Sequence, residues 1–288
     1  NILMHDLAKL AMRGPWQAAV LASVSVMIPM MFWFGAAIVG LVTLRKGLSQ
    51  GLNVFIWATI PALAWWSGMQ DPGALVVLIS VLLMAAILRS TVSWQATLAA
   101  GGVISLLTGI VAPYLMPELI ETLMGLAEEF FKQLAEESQQ EYDANLQEGF
   151  KLLLVASFAS SFFGMAVISL FLARSWQASL YNPGGWREEF HQIRLTARMV
   201  MGLVLLIVIL PVLGVSPALV IAVAVVPIMV CGFALVHAVI AKRKLGGQWL
   251  IGIYFSAILL FPTVLMLIAL LALLDSLVDF RARMQAPE

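Results

Sequence analysis

The sequence predicts an all-α fold, a polytopic transmembrane helix bundle with roughly 8–9 crossings and one amphipathic extracytoplasmic segment. Composition is the first reason: of 288 residues, 62% are hydrophobic and 11% are charged, with a mean hydropathy of +0.98. Soluble domains are about 45–50% apolar and about 25% charged. Because the surplus apolar surface exceeds what a soluble core could bury, lipid must surround most of the chain. Residues 1–288 are therefore predicted to form a single membrane domain.

Long apolar runs are the second reason. A helix needs about 20 apolar residues, with about 17 tolerated, to cross about 30 Å of hydrocarbon. Seven runs approach this length, and we expect each to cross once. They are 52–67, 72–88, 94–115, 152–173, 199–213, 217–241 and 250–274.

The first apolar run, 15–44, is too long for one straight crossing and contains Pro29 near its middle. Proline removes a backbone donor and disfavours helix at the preceding residue. The run is therefore either one kinked, tilted helix or an opening helical hairpin of two short crossings.

The distribution of basic residues favours the hairpin. Lys and Arg accumulate at one set of connections, which the positive-inside rule places in the cytoplasm. These residues are Lys9, Arg13, Arg45, Lys46, Arg89, Arg174, Arg187, Arg194, Arg198, Lys242, Arg243 and Lys244. All of them share one side only if 15–44 crosses twice. The prediction is a bacterial inner-membrane protein with a cytoplasmic N-terminus and an extracytoplasmic C-terminus.

The connection 117–149 predicts an acidic amphipathic helix outside the membrane. Leu119, Leu123, Leu126, Phe130 and Leu134 recur at intervals of three and four, with glutamates between them. This helix either caps the bundle with its acids solvated, or forms a lid over a cavity or a docking surface for a partner.

The basic connection 174–198 contains the main candidate site. Its Asn-Pro-Gly-Gly sequence predicts a turn, followed by a short helix with aromatic and basic residues on adjacent faces. One alternative is an interfacial helix with snorkelling arginines. The other is a cytoplasmic anion site for a phosphate or lipid head group. Its candidate residues are Asn182, Gly184, Gly185, Arg187, His191 and Arg194.

Several chemistries are not supported by the sequence. The formal net charge of +0 argues against nucleic-acid binding. The single Cys231 allows no disulfide and no cysteine metal site, and His237 is the one ionisable residue well within an apolar run. Self-powered ion-coupled transport usually needs buried charges, and hydrolase or nucleotide-binding motifs are missing. We therefore expect no enzyme activity, no catalytic residue, no cofactor and no metal.

Small residues at helical spacing, including Ala18 and Ala22, allow close helix packing in lipid. Such faces either pack within the chain or dock a partner subunit in the membrane.

Two segments, 42–47 and 181–190, resemble the YybS-like family of bacterial multi-span proteins. The first reads Val-Thr-Leu-Arg-Lys-Gly and the second Tyr-Asn-Pro-Gly-Gly-Trp-Arg-Glu-Glu-Phe. That family is distantly similar to substrate-binding subunits of energy-coupling-factor vitamin importers and to the rod-shape protein MreD. In the importers, an Ala-x-x-x-Ala face docks a coupling subunit, and the resemblance extends this role to Ala18 and Ala22.

Two functional hypotheses follow. The first is a transport-type subunit that binds a small or lipidic solute and depends on a protein partner for energy. The second is a non-transporting envelope scaffold that recruits cell-wall or lipid machinery. In both, membrane lipids and a protein partner in the membrane are the expected contacts.

Overall fold

The computed structural model describes residues 2–138 and 144–283, and its described residues form α-helices joined by turns and short loops. The all-α prediction is confirmed. The fourteen helices described are α1 (Ile2–Arg13), α2 (Pro15–Met27), α3 (Phe32–Lys46), α4 (Leu48–Met69), α5 (Gly73–Thr91), α6 (Trp94–Leu115), α7 (Pro117–Ser138), α8 (Ala144–Tyr181), α9 (Gly185–Gln192), α10 (Ala197–Val212), α11 (Pro217–Lys242), α12 (Gln248–Leu259), α13 (Thr263–Val278) and α14 (Phe280–Arg283).

Four helices, α5, α6, α8 and α11, are long and apolar enough to cross a membrane, and the bent pair α9–α10 would make five. These helices support a membrane protein, but the count is lower than the predicted eight to nine crossings. Part of the difference arises where apolar runs form short helices, and α4, although 22 residues long, is not apolar enough to be counted. With a rise of 1.5 Å per residue, α12 and α13 extend only about 18 and 24 Å, less than the thickness of the hydrocarbon.

The opening run forms two helices that lie side by side. The chain turns between Met27 and Phe32, and α3 then packs against both α2 and α4. The approach is closest at Gly35, where a Cβ atom would lie 2.7 Å from the carbonyl oxygen of Ala22. Glycine is therefore required at this position for the two backbones to approach.

Helix α3 is the centre of the bundle. Every residue from Gly35 to Leu44 is buried, and α3 packs on α2, α4, α5 and α8. A helix that is apolar on all sides needs an apolar environment of protein or lipid, and the neighbouring helices supply it for α3. The core is therefore built around a helix of 15 residues rather than around one of the long candidate spans.

The basic helix ends lie in one layer, joined by side-chain contacts. Lys46 Nζ donates to Met12 O at 3.4 Å, and Arg89 donates to Arg45 O at 2.9 Å. Further along the layer, Gln95 Nε2 donates to Arg194 O, Arg194 pairs with Asp279, and Lys242 Nζ donates to Arg281 O. We call this end of the bundle the basic layer.

Both described ends of the chain reach the basic layer, since α1 contacts Lys46 and α14 contacts Lys242. The two described ends therefore lie at the same end of the bundle, while the predicted membrane orientation of the termini stays a prediction. The run 250–274, which the sequence predicts to be one crossing, brings α14 to this layer. It is broken at residues 260–262: α12 leaves the basic layer, and α13 returns to it alongside α11.

Opposite the basic layer, α4 and α6 end together, and Trp66 Nε1 donates to Leu115 O at 2.6 Å. Helix α7 begins here and occupies most of the predicted acidic segment; residues 139–143 lie outside the described residues. Leu126, Phe130 and Leu134 on α7 are at least half exposed. The apolar stripe of α7 is therefore only partly covered by the chain.

Candidate functional site

Helix α9 starts at the predicted turn. Gly184 has φ +91°, a left-handed conformation that favours glycine, and the N–H of Gly185 donates to Asn182 O at 3.0 Å. Asn182 and Gly184 are exposed. Their role in the structure is to reverse the chain between α8 and α9.

Glu189 fixes α9 to the bundle. Its carboxylate accepts hydrogen bonds from Arg174 Nε at 2.9 Å and Nη2 at 2.7 Å, and from Trp94 Nε1 at 2.6 Å. Charge-assisted bidentate pairs of this kind are strong and directional. Because Glu189 is occupied by Arg174 and Trp94, it does not neutralise the other basic side chains of α9.

A cavity of about 630 Å³ lies between α8, α9, α11 and α12, and Trp33 of α3 contributes to its wall. Its surface is mostly apolar with a few polar groups, the composition and size typical of small-molecule sites. We call it the α9 cavity.

Aromatic side chains form a continuous wall along the α9 cavity. Phe171 of α8 lies 5.2 Å from Trp186 and 5.5 Å from Phe190, measured between ring centroids. The wall continues from Phe190 to His237 at 5.3 Å and from His237 to Tyr254 at 6.0 Å. These offset and edge-to-face contacts are favourable for aromatic pairs, so the wall is well packed.

The polar groups of the cavity are all neutral or basic. Arg187 and His191 are four residues apart on α9 and share a face, and the imidazole of His191 lies 6.4 Å from that of His237. His237 Nε2 and Tyr254 Oη are hydrogen-bonded at 2.9 Å. None of the residues lining the cavity is Asp or Glu. Within the described part of the chain, the side chains of Arg187 and His191 have no hydrogen-bond acceptor or donor partner.

Arg194 lies outside this cavity. It pairs with the carboxylate of Asp279 and donates from Nη2 to Asp275 O at 3.0 Å. Desolvation alone would raise the pKa of Asp279, but the hydrogen bond from the N–H of Ala282 and the charge of Arg194 hold that pKa below its usual value. Arg194 therefore contacts the end of α13 and the residue that follows it, and it does not line the α9 cavity.

Of the six predicted anion-site residues, the structure places Arg187 and His191 together in the cavity. Asn182, Gly184 and Gly185 form the turn, and Arg194 belongs to the ion pair with Asp279. The partner-docking candidates Ala18 and Ala22 are 1% and 0% exposed. They pack within the chain, the intramolecular alternative for this face.

A buried ion pair lies beside the cavity. Asp275 is 2% exposed, and its carboxylate lies 3.5 Å from Arg281 Nε. Arg281 also donates from Nη1 to His191 O at 2.6 Å, so the pair connects α13 and α14 to α9. In the sequence, Asp275 directly follows the predicted run 250–274. The short spacing of Asp275, Asp279 and Arg281 was the available signal.

Trp33, Ser175 and Tyr254 also line the cavity and were not identified from the sequence. No local motif marks them, because they come from three separate helices. Of the three, only Tyr254 could have been identified from the sequence, because it is a polar ring within an otherwise apolar segment.

The described residues contain no group of three or more His, Cys, Asp or Glu residues that could hold a metal ion. Comparison with protein-family models, curated proteins and solved structures finds no match to this chain. The candidate function therefore depends on the geometry of the α9 cavity.

Proposed function

We propose that this protein is a transport-type membrane subunit that binds a small or lipidic solute in the α9 cavity. The observation that carries the proposal is the cavity itself. About 630 Å³ of mostly apolar space lies among the helices, and Arg187 and His191, whose side chains have no hydrogen-bond partner in the described chain, line it.

Aromatic and aliphatic walls favour a ligand with a substantial apolar part. Trp186, Phe190 and Tyr254 offer ring faces and edges, while Leu172 and Leu250 offer aliphatic surface. Burial of apolar ligand surface against such walls yields about 25 cal/mol per Å². A fully hydrated polar solute would gain much less from this surface.

Dependence on a partner is part of the proposal. No nucleotide-binding motif occurs in the sequence, and the buried carboxylate of Asp275 in the described chain is already paired with Arg281. Energy for solute movement would then come from another subunit. The resemblance to YybS-like proteins and the distant similarity to importer subunits agree with this reading.

For the orientation, we propose the bacterial inner membrane with the basic layer in the cytoplasm, by the positive-inside rule. Both α1 and α14 would then be cytoplasmic, and α7 extracytoplasmic. The short pairs α2–α3 and α12–α13 would enter the membrane as hairpins. Counting each as two partial crossings brings the number closer to that expected from the sequence.

Native mass spectrometry of the purified protein tests solute binding. Leu250 lines the cavity, whereas the adjacent Ile251 is 72% exposed and does not. We expect the wild type and Ile251→Trp to retain a bound molecule, and Leu250→Trp to lose it because the indole fills the cavity. A wild-type protein without bound lipid or solute in both nanodiscs and mild detergent would contradict the proposal.

A second candidate, the envelope-assembly scaffold, is favoured by α7. Its acidic residues flank an apolar stripe of which Leu126 and Phe130 are each 59% exposed. A photo-crosslinking residue at Phe130 would trap a protein partner in cells if α7 is a docking helix. The same residue at Glu129, on another face of α7, is the matched control.

A further inference from the structure

We propose that the ligand of the α9 cavity is an amphiphile with a phosphate head group, bound by Arg187 and His191, with its tail along the aromatic wall. This inference rests on the proposed function, since it names the class of solute that the cavity takes.

The first step is charge. The cavity is lined by Arg187, His191 and His237 and by no carboxylate. Of the two acids of α9, Glu189 is occupied by Arg174 and Trp94. Glu188 follows Arg187 directly, and adjacent residues of a helix do not face each other. A cation facing an apolar cavity without an acidic partner favours an anionic ligand.

The second step is the number and direction of donors. The guanidinium of Arg187 offers a planar fork suited to two oxygens of one anion. His191, one turn further along α9, offers a ring N–H, and the His237–Tyr254 pair lies across from it. Donors from more than one direction suit the three oxygens of a phosphate monoester better than the two coplanar oxygens of a carboxylate.

The third step is the apolar wall beside these donors. Trp186 and Phe190 alternate with Arg187 and His191 along α9, so the same helix presents rings and donors to the cavity. Ile168, Leu172 and Trp33 extend the apolar surface away from α9. A soluble phosphate would leave this surface without a partner, whereas the tail of an amphiphile would cover it.

The fourth step is the rigidity of α9. It is held by Glu189 on one side and by the hydrogen bond from Arg281 to His191 O on the other. Ile193 and Leu195, which follow α9, are 2% and 1% exposed. The helix that carries the donors is therefore positioned before a ligand arrives, which reduces the entropic cost of binding.

Titration followed by native mass spectrometry tests the inference with three probes. Dioleoyl phosphatidic acid carries both head and tail, dioleoylglycerol carries the tail alone, and inorganic phosphate carries the head alone. We expect phosphatidic acid to bind the wild type at least tenfold more tightly than either of the other probes.

The variant Arg187→Gln should weaken phosphatidic acid binding by about tenfold or more, the effect of losing a charge-assisted hydrogen-bonding partner. Arg198→Gln is the control, because Arg198 is an exposed arginine of the same connection that does not line the cavity. His191→Gln tests the second donor independently. Melting temperatures near that of the wild type would show that these variants are folded.

Equal binding of dioleoylglycerol and phosphatidic acid, with no effect of Arg187→Gln, would overturn the phosphate head while leaving solute binding intact. If inorganic phosphate binds as tightly as phosphatidic acid, the proposal that the ligand has an apolar tail is overturned. If Arg187→Gln and Arg198→Gln weaken phosphatidic acid binding equally, the lipid is attracted to the basic layer in general, and the proposed site at Arg187 is overturned. The proposed function itself fails separately, if Leu250→Trp binds every probe as the wild type does.

Discussion

At the scale of single residues, the acids of the basic layer have distinct positions. Glu188 and Glu189 are neighbours in sequence, yet Glu188 is exposed whereas Glu189 bonds to Arg174 and Trp94. Asp275 is buried against Arg281, and Asp279 pairs with Arg194. In the described chain, Glu189, Asp275 and Asp279 thus hold helices together, and none of them pairs with Arg187.

Replacing Glu189 with Gln should weaken the attachment of α9 to α6 and α8 and lower the free energy of unfolding. The substitution removes the charge that accepts two bonds from Arg174 and one from Trp94, at a cost of about 1–3 kcal/mol. Thermal unfolding in detergent should show a lower melting temperature for Glu189→Gln than for Glu188→Gln, the exposed control. Equal melting temperatures for the two variants would contradict this assignment.

Asp275→Asn should be more damaging. It leaves Arg281 buried without its carboxylate, and breaking a buried pair in this way costs about 3–5 kcal/mol. The expected result is a large fall in melting temperature, compared with little change in Asp6→Asn at an exposed position of α1. A wild-type melting temperature for Asp275→Asn would show that the pair is dispensable.

At the scale of helices, close packing depends on glycines at specific crossings. Gly35 lies against the backbone of Ala22, whereas Gly68 near the end of α4 has open space around its Cα. Both positions are helical and small, and the sequence around them does not distinguish the two. The difference comes from the neighbouring helix.

Gly35→Ala is predicted to destabilise the α2–α3 pair. Its Cβ would lie 2.7 Å from Ala22 O and 2.8 Å from Val26 Cγ2, so the helices must separate. Overpacking typically costs about 1–3 kcal/mol, which exceeds the helix-propensity gain of about 1 kcal/mol for Gly to Ala. Gly68→Ala should keep or raise the melting temperature. Stabilisation by Gly35→Ala would mean that α2 and α3 do not approach as closely.

At the scale of the whole molecule, the positions of the two described chain ends determine how the helices are assigned to the two sides of the bundle. The contacts of Lys46 with α1 and of Lys242 with α14 bring both described ends to the basic layer. α7 lies at the opposite end, next to the pair formed by Trp66 and Leu115.

Cysteine accessibility tests this arrangement in a Cys231→Ala background. Single cysteines at Lys9 and Arg283 should react with a membrane-impermeant reagent only after the cytoplasmic side is opened. A cysteine at Gly125 on α7 should react in intact cells. Labelling of position 283 from outside would support the opposite-sided termini predicted from the sequence, and labelling of position 9 from outside would contradict the cytoplasmic basic layer.

Composition and apolar periodicity determined that this chain is helical and that several of its helices are apolar enough to cross a membrane, because both properties depend on local residue content. The sequence also predicted the turn before α9 and the aromatic and basic faces of α9, since the period of a helix fixes which of its residues share a face. It did not predict which residues of other helices contact those faces. Several features join residues from different helices. They are the contact of Glu189 with Arg174, the burial of Asp275 beside Arg281, the return of α13 to the basic layer, and the cavity lined by Arg187, His237 and Tyr254. Such contacts depend on how helices pack, and in a bundle of similar apolar helices the local sequence does not specify which pairs meet.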